Sequence, residues 1–287
     1  MLFAGIDVGQ SGTTAAIGDG VNILGTGHAG PGDEIGASAD STRLRDAMRA
    51  ALAGALLQAS LSPSSRFDAI VAGISGYEGR VVGAPPDLPS ERITLMHDAP
   101  IAHAAAFRDE SGVLVIAGTG SVAFARSQGG QSQTVGGWGY LFGDEGSAFW
   151  IARTAFESAI DCGQGCASKI AASFEMPSLR EVARAFYELR VSRARFAMLA
   201  SMAYDPNAAH CLRKAADRGC TELMLLAQRA LLDPPERSRI AFTGGLMRID
   251  AYAERVREET FNVMPDAVVE IVHCDPAEGA LYLAARG

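Results

Sequence analysis

The chain has 287 residues, of which 48% are hydrophobic and 20% charged, and this composition indicates a folded protein large enough for two cores rather than a disordered one. Its formal charge is -8 and no Lys/Arg cluster is present, which argues against a nucleic-acid partner. No leader-like segment or bilayer-length apolar run occurs, and the five cysteines form no compact framework, so we expect a cytoplasmic protein without a membrane partner.

The first predicted element is a short apolar strand, Leu2 to Ile6, which ends at Asp7. A polar turn follows it and leads into a second apolar run. The turn consists of Gly9, Gln10, Ser11, Gly12, Thr13 and Thr14. Glycines allow a backbone to approach a ligand closely and hydroxyls add hydrogen-bond donors, so such a turn suits phosphate groups. A carboxylate at a strand end can hold Mg²⁺ through water beside phosphates, and we assign this role to Asp7.

A further strand over Val21 to Gly27 leads into the Gly/Pro-rich loop Ala29 to Gly36, and a helix follows over Thr42 to Ser60. Asp33 in this loop is either an exposed carboxylate, a helix cap or a ligand contact. The apolar run Asp68 to Ile74 predicts a buried strand, and it ends in a small-residue turn at Ser75 and Gly76. Open α/β sheets bind ligands at such carboxyl ends.

The strand Ile93 to Met96 delivers His97 and Asp98 at its end. A carboxylate at the end of a strand, outside the Gly-rich turn, can act as a general base on a bound ligand, and Asp98 is our candidate. The alternative is that Asp98 only caps the helix from Ala99 to Phe107. His97 has no partner pattern in the sequence and is expected to be structural.

A second strand, turn and strand unit covers Val113 to Arg126, and its turn consists of Gly118, Thr119, Gly120 and Ser121. Alone, this turn is equally compatible with an ordinary hairpin. Because the amino-terminal unit has the same design, the pair predicts a duplicated architecture with two phosphate-binding half-sites, for which a nucleotide is the natural ligand.

The segment GGWG follows, and Trp138 within it is either a wall for a sugar ring or a core residue. In the next motif, GDEGS, Asp144 can accept hydrogen bonds from vicinal hydroxyls, and Ser147 is predicted to cap a helix from Ala148. Helical pattern then continues to about Leu232. A strand leads into a TGG turn containing Gly244 and Gly245, and helix, strand and helix complete the chain.

Five stretches together resemble the actin, heat-shock-protein and sugar-kinase superfamily, and within it the BadF/BadG/BcrA/BcrD ATPase group that includes N-acetylglucosamine kinase. They are GIDVGQSGTTAAI from Gly5, HDAPIAHAAAF from His97, VIAGTGSVA from Val115, VGGWGYLFGDEGSAFWIAR from Val135 and FTGGL from Phe242. The resemblance implies an α/β fold of two ribonuclease H-like (actin-like ATPase) domains with a nucleotide and sugar cleft between them. The expected domains are residues 1–107 joined by the final helix 276–287, and residues 108–275.

The resemblance also implies an ATP-dependent kinase that phosphorylates the 6-hydroxyl of N-acetylglucosamine or glucosamine, with Asp98 as catalytic base and Mg²⁺ held by Asp7 through water. ATP would contact Asp7, the turns 9–14 and 118–121, Gly244 and Gly245. The sugar would contact Asp33, Ser75, Gly76, Asp98, Gly137, Trp138 and Asp144. The family usually has Asn at the position of Asp33, and a carboxylate there would favour a cationic 2-amine over an acetamide.

Two alternatives stay open. Some members of the group are ATP-driven activators of a partner enzyme and carry an iron-sulfur cluster between subunits. Cys162 and Cys166 form a C-x3-C pair, but no second Cys/His pair follows at ligand spacing, so free thiols are expected. The substrate could also be another sugar, such as N-acetylmuramic acid or a ketosugar acid. A homodimer is what the resemblance implies for the oligomeric state.

Overall fold

A computed structural model describes residues 1–161, 164–234 and 238–287. The described chain divides into two compact units, one comprising Met1–Glu110 with Cys274–Gly287 and the other comprising Ser111–His273. The boundaries expected from the sequence differ from these by at most three residues. Along these ranges, no helix is both long enough and apolar enough to cross a membrane.

Unit 1 is built on a five-stranded sheet in the order β3-β2-β1-β4-β5. The first three strands form an antiparallel meander, and β4 and β5 run parallel to β1. The strands are β1 (Phe3–Val8), β2 (Thr13–Gly18), β3 (Ile23–Ala29), β4 (Ala69–Ile74) and β5 (Ile93–His97), and the helices are α1 (Arg43–Gln58), α2 (Asp98–Phe107) and α9 (Pro276–Arg286).

Unit 2 repeats this design, with strand order β10-β9-β6-β7-β8. Its strands are β6 (Gly112–Ala117), β7 (Ser121–Arg126), β8 (Ser132–Gly136), β9 (Arg239–Thr243) and β10 (Val268–Ile271). Its helices are α3 (Ala148–Asp161), α4 (Gln164–Ser173), α5 (Leu179–Tyr187), α6 (Arg193–Ala197), α7 (His210–Ala230) and α8 (Asp250–Val263), with 3-10 turns at Met198–Met202 and Leu246–Arg248.

The two sheets correspond strand for strand, because each consists of a three-stranded meander whose first strand continues into a parallel pair. The predicted duplication is therefore confirmed. The strand β8 was not predicted from the sequence, where no element was assigned between Arg126 and the GGWG segment. Its residues are exposed or half-buried, so the hydrophobic alternation that marks a strand is weak there.

Successive side chains of β1 point to opposite faces of the first sheet. Ile6 and its alternate neighbours pack with α1, whereas Phe3 packs with the apolar side of α9. Gly5 lies on the α9 face, where a Cβ atom would collide with the backbone of that helix, and Gly279 likewise allows α9 to lie directly against α2. These close approaches hold the last helix of the chain on the strand that begins it.

Candidate active site

The carboxyl ends of β1, β4 and β5 lie side by side, because Val8 is in register with Ile74 and Ile74 with His97. The turn after Val8, the turn at Ser75 and the start of α2 therefore emerge at one edge of the first sheet. Parallel strands of α/β proteins place their ligands at this edge. The candidate residues of unit 1 are thus brought together as the sequence predicted.

Three carboxylates interact at this edge. Burial, followed by the negative charges of Asp98 and Asp275, raises the pKa of Asp7 from 3.8 to about 7. Asp275 was not identified as a site residue in the sequence. It caps α9 by accepting a hydrogen bond from the Ala277 amide at 2.9 Å, and only the return of α9 to the first sheet brings it near Asp7.

Asp98 is the first residue of α2, and the N-cap is His97. The interpretation of Asp98 as the cap is therefore wrong. The Nδ1 atom of His97 lies 2.8 Å from Oδ1 of Asp98 and 3.2 Å from the Ala99 amide nitrogen. Hydrogen bonding to Asp98, which exceeds the opposing effect of burial, raises the pKa of His97. The expectation that His97 is only structural is thus incomplete, since its ring contacts the candidate base.

The first Gly-rich turn is closed by a hydrogen bond from the Gly9 amide to the Gly12 carbonyl at 2.9 Å. Gln10 and Ser11 at its tip are exposed. Thr13 is buried and donates its hydroxyl to the Gly30 carbonyl at 2.9 Å, so its side chain fixes the turn. The Thr14 hydroxyl lies 3.2 Å from Nδ1 of His28 on β3. The tip and its backbone amides are thus the parts of this turn available to a phosphate.

The second turn has a matching closure, in which the Gly118 amide donates to the Gly120 carbonyl at 2.9 Å. Its base is tied to the GDEGS motif, because Ser121 is buried and donates its hydroxyl to the Glu145 carbonyl at 2.8 Å. The Ala148 amide, at the start of α3, donates to the Gly118 carbonyl at 2.9 Å. Ser147 caps α3 as predicted, since its hydroxyl accepts from the Trp150 amide at 3.2 Å. Thr119 at the tip is half-buried.

Asp144 lies against this second turn. A Cβ atom on Gly120 would be 2.8 Å from Oδ2 of Asp144, so any other residue there would push the carboxylate away from the turn. Asp144 is only 6% exposed and has a positive φ of 61°. Burial raises its pKa, although the Ser121 amide and the charge of Arg193 oppose the rise. The two motifs therefore form one connected substructure.

The TGG turn emerges at the same edge as the second Gly-rich turn, because Thr243 of β9 is in register with Ile116 of β6. Gly244 has a φ of 103° and lies so close to the backbone of Ala117 that a side chain does not fit. A Cβ atom on Gly245 would meet open space. The turn therefore presents a backbone surface without side chains, against which a flat ligand can pack closely.

Asp33 is 6% exposed, so its interpretation as an exposed loop carboxylate is wrong. Arg43 lies 3.5 Å from its Oδ2 atom and donates to the carbonyls of Asp33 and Ile35 at 2.6 and 3.1 Å. The Glu34 amide donates to the Ser75 carbonyl at 3.2 Å. The loop is therefore fastened to the Ser75 turn, where Gly76 contacts Ile35. Because Arg43 neutralises Asp33, the argument that Asp33 favours a cationic amine loses its physical basis.

Trp138 is 77% exposed, and its interpretation as a core residue is wrong. The surrounding backbone explains this exposure, because Gly136, Gly137 and Gly139 all have positive φ and the chain turns outward through them. Leu141 and Phe142, further along the same loop, are also exposed. An exposed indole flanked by glycines is available to stack on an apolar ligand face.

The cysteines do not assemble a metal site in the described ranges, where no three His, Cys, Asp or Glu side chains are placed to hold one ion. Cys162 lies outside the described residues. Cys166 is buried, and its sulfur lies 3.3 Å from Nδ1 of His210 and 3.4 Å from the Cys211 amide. These contacts account for Cys166 as a packed thiol.

Two α/β units of identical strand order, each with a glycine-rich turn after its first strand, define an actin-like ATPase fold, and the fold class expected from the sequence is confirmed. The chain belongs to the BadF/BadG/BcrA/BcrD ATPase family, which it matches over residues 4–284. Membership of this family implies the use of ATP.

Several relatives have known names or structures. The chain is 41% identical over 69 residues to an N-acetylmuramic acid/N-acetylglucosamine kinase of Clostridium acetobutylicum, a match that covers 24% of this chain and 22% of that protein. It is 24% identical over 243 residues to the N-acetyl-D-glucosamine kinase of Dictyostelium discoideum, covering 80% of this chain and 67% of the relative. The structure of a candidate N-acetylglucosamine kinase from Chromobacterium violaceum superimposes with a TM-score of 0.75 at 22% identity, covering 98% of each chain.

Proposed function

We propose that this protein is an ATP-dependent kinase that phosphorylates the 6-hydroxyl of an N-acetylated amino sugar, with N-acetylglucosamine as the first candidate. The observation that carries the proposal is the position of Asp98. Its carboxylate is fixed at the ligand-binding edge of the first sheet, beside Asp7 and the first Gly-rich turn. Phosphoryl transfer to an alcohol requires a carboxylate at such a place to receive the hydroxyl proton.

In each unit the Gly-rich turn offers its backbone amides and the hydroxyl at its tip to phosphate oxygens of ATP, and in unit 2 Gly244 and Gly245 offer a backbone without side chains to the adenosine. Asp7 fits a hydrated Mg²⁺, because its carboxylate is partly buried and lies near two further carboxylates, Asp98 and Asp275. No three side chains of the described residues are placed to ligate such an ion directly. An ion here therefore keeps its water, as Mg²⁺ does readily. When bound, Mg²⁺ neutralises charge on the phosphates.

The proposed reaction transfers the γ-phosphoryl group of ATP to the sugar. The sugar 6-hydroxyl oxygen forms a bond to the γ-phosphorus of ATP while the bond from that phosphorus to the bridging oxygen breaks, releasing ADP. Asp98 accepts the proton of the hydroxyl as this bond forms. Holding the hydroxyl in line with the phosphorus supplies much of the acceleration, since positioning alone can contribute about 7 to 11 kcal/mol.

An N-acetylated substrate is favoured over a free amine by the pairing of Asp33 with Arg43. A neutralised carboxylate in a closed loop offers hydrogen bonds to an amide without drawing in a cation. Ser75, Gly76, Gly137, Trp138 and Asp144 are the remaining proposed sugar contacts. Both curated relatives are named as kinases of N-acetylated sugars.

The experiment is ADP release by the purified protein with Mg-ATP and, separately, N-acetylglucosamine, glucosamine, N-acetylmuramic acid, a ketosugar acid or no sugar. We expect N-acetylglucosamine to stimulate release most strongly, and the 6-deoxy analogue to give none. Phosphorus NMR of the product identifies the phosphorylated oxygen. Hydrolysis of ATP that no sugar stimulates would contradict the kinase assignment and favour an ATP-driven activator. A product phosphorylated at another hydroxyl would refute the assignment of the 6-hydroxyl as the acceptor.

The Asp98→Asn variant tests the base. Asparagine keeps the size and helix position of the side chain but accepts no proton at neutral pH, so kcat should fall by a factor of about 100 to 10,000 while ADP affinity by calorimetry stays within about threefold. Asp266→Asn, an exposed change in unit 2, serves as the control and should leave both unchanged. Near-normal turnover by Asp98→Asn would remove Asp98 from the mechanism.

A further inference from the structure

His97 contacts two groups through one atom. Nδ1 is 2.8 Å from Oδ1 of Asp98 and 3.2 Å from the Ala99 amide nitrogen. One ring nitrogen cannot donate and accept a hydrogen bond at the same time. The two contacts therefore belong to two forms of the ring: with a proton on Nδ1 it donates to Asp98, and without one it accepts from Ala99 and caps α2.

The form that donates to Asp98 is the one that the surroundings favour. The charged group that acts on His97 is the carboxylate of Asp98 on α2. Asp98 in turn lies close enough to Asp7, at the end of β1, to raise its pKa together with Asp275. On the adjacent strand β4 the register partner of His97 is the apolar Ile74. Hydrogen bonds from a protonated imidazole to a carboxylate are about twice as strong as neutral ones. Consistent with this, the pKa of His97 is raised by Asp98.

We propose that His97 is a positioning residue for Asp98, whose Oδ1 it holds through Nδ1–H so that Oδ2 is presented to the sugar hydroxyl. The side chain of His97 is 43% exposed and that of Asp98 is 29% exposed, so both remain accessible from the ligand edge. The arrangement fixes one side-chain rotamer of the base before the substrate arrives. This inference rests on the proposed kinase function.

The pairing itself can be measured without any substrate. Side-chain nitrogen NMR of the full-length protein, titrated over pH, gives the pKa of each histidine ring, and His97→Asn assigns the signal. In Asp98→Asn the carboxylate is lost and the His97 pKa should fall, whereas the ring signals of His210, in unit 2, should not change with this substitution. An unchanged His97 pKa in Asp98→Asn would overturn the pairing.

The catalytic consequence is measured with the sugar that the wild-type protein phosphorylates. His97→Leu removes the donor, and kcat should fall about 10- to 100-fold with little change in the KM for ATP. His97→Asn places an amide donor near the former Nδ1 position, so it should retain most of the activity. When His97 loses its positive charge, the neutral Nδ1–H ring still donates to Asp98 but through a weaker bond. Activity of the wild type should therefore decline in part on the alkaline side, and His97→Asn should lack that limb because an amide does not titrate.

Two controls distinguish a catalytic effect of the His97 variants from a loss of stability and from the effect of removing any histidine. Loss of the N-cap costs about 1 kcal/mol, so melting temperatures identify any variant that is merely less folded, and His210→Leu should leave kcat unchanged. A fully active His97→Leu, or a His97→Asn as weak as His97→Leu, would refute the positioning role. If no sugar stimulates the wild type, the kinase proposal and the catalytic role fail together, and the NMR titration still reports the pair.

Discussion

Replacing Asp7 with asparagine should stabilise the ligand-free protein, although it abolishes the proposed Mg²⁺ contact. The folded-state pKa of Asp7 is about 7 against an ordinary value of 3.8. Between these values the folded chain holds a proton that the unfolded chain has released, so the free energy of unfolding falls as pH rises through this window. Below pH 4 the penalty is absent, and above pH 7 it is complete.

The size of the effect follows from the shift. A rise of about three pKa units corresponds to at most about 4 kcal/mol above pH 7 and about 2 kcal/mol at pH 5. With an unfolding entropy of about 2.1 cal/mol/K per residue, this is a gain of roughly 7 °C in melting temperature at pH 9 and roughly 3 °C at pH 5 for the whole chain. Asparagine has nearly the same volume, so packing contributes little to the difference.

The assay is calorimetric melting of the wild type and Asp7→Asn at several pH values in buffer without divalent cations. Asp19→Asn provides a control of opposite sign. Asp19 accepts hydrogen bonds from the Asn22 and Val21 amides, which lower its pKa, so its contribution to stability is present at neutral pH and is lost as pH falls toward its folded-state pKa.

Adding Mg²⁺ with ADP at pH 9 should raise the melting temperature of the wild type more than that of Asp7→Asn, because the ion neutralises the buried charge. An Asp7→Asn variant that is no more stable than the wild type, or a difference that does not change with pH, would refute the electrostatic reasoning.

Three further predictions concern packing and substrate contacts. Gly279→Ala places a Cβ atom in the backbone of α2 and should lower the free energy of unfolding, measured by chemical denaturation, by about 3 kcal/mol or more. The control Gly30→Ala, which has open space around it, should lower it by less than about 0.5 kcal/mol. Equal stabilities of the two variants would contradict the close α2–α9 contact. Arg43→Met leaves the buried Asp33 unpaired and should raise the KM for the sugar about tenfold or more, and an unchanged KM would remove this loop from the sugar site. Trp138→Ala should leave the melting temperature within about 2 °C and weaken sugar binding measured by calorimetry, while a large loss of stability would show that the indole is packed.

The sequence was informative where one local pattern determines the structure. Both Gly-rich turns and their flanking strands were predicted, because apolar runs and clusters of small polar residues are signals that lie within a few neighbouring positions of the sequence. The cap at Ser147 was predicted for the same reason. The strand β8 was missed since it is an edge strand with weak alternation.

Contacts between distant segments could not be predicted in this way. An exposed carboxylate was one of the interpretations left open for Asp33, and the contact that excludes it is made by Arg43, ten residues further along the chain. Asp275 has an obvious local role as a helix cap, and its effect on Asp7 depends on α9 packing against β1. Asp33 and Asp275 are thus charges whose interactions depend on residues outside their local pattern. His97 differs from them, because its partner Asp98 is the next residue, and adjacency in the sequence does not show that the two side chains meet.

The position of α9 also affects how the protein is made. Unit 2 is one continuous segment, whereas unit 1 needs residues from both ends of the chain. During synthesis the strands of unit 1 emerge first, yet their α9-facing surface stays uncovered until residues 274–287 leave the ribosome. In a purified chain that ends at residue 273 we therefore expect unit 2 to be protected from hydrogen exchange and unit 1 to be exposed, and protection of β1 in that chain would contradict this dependence. Such a chain also lacks Asp275, so the proposed site can be completed only when the segment that carries α9 has joined unit 1.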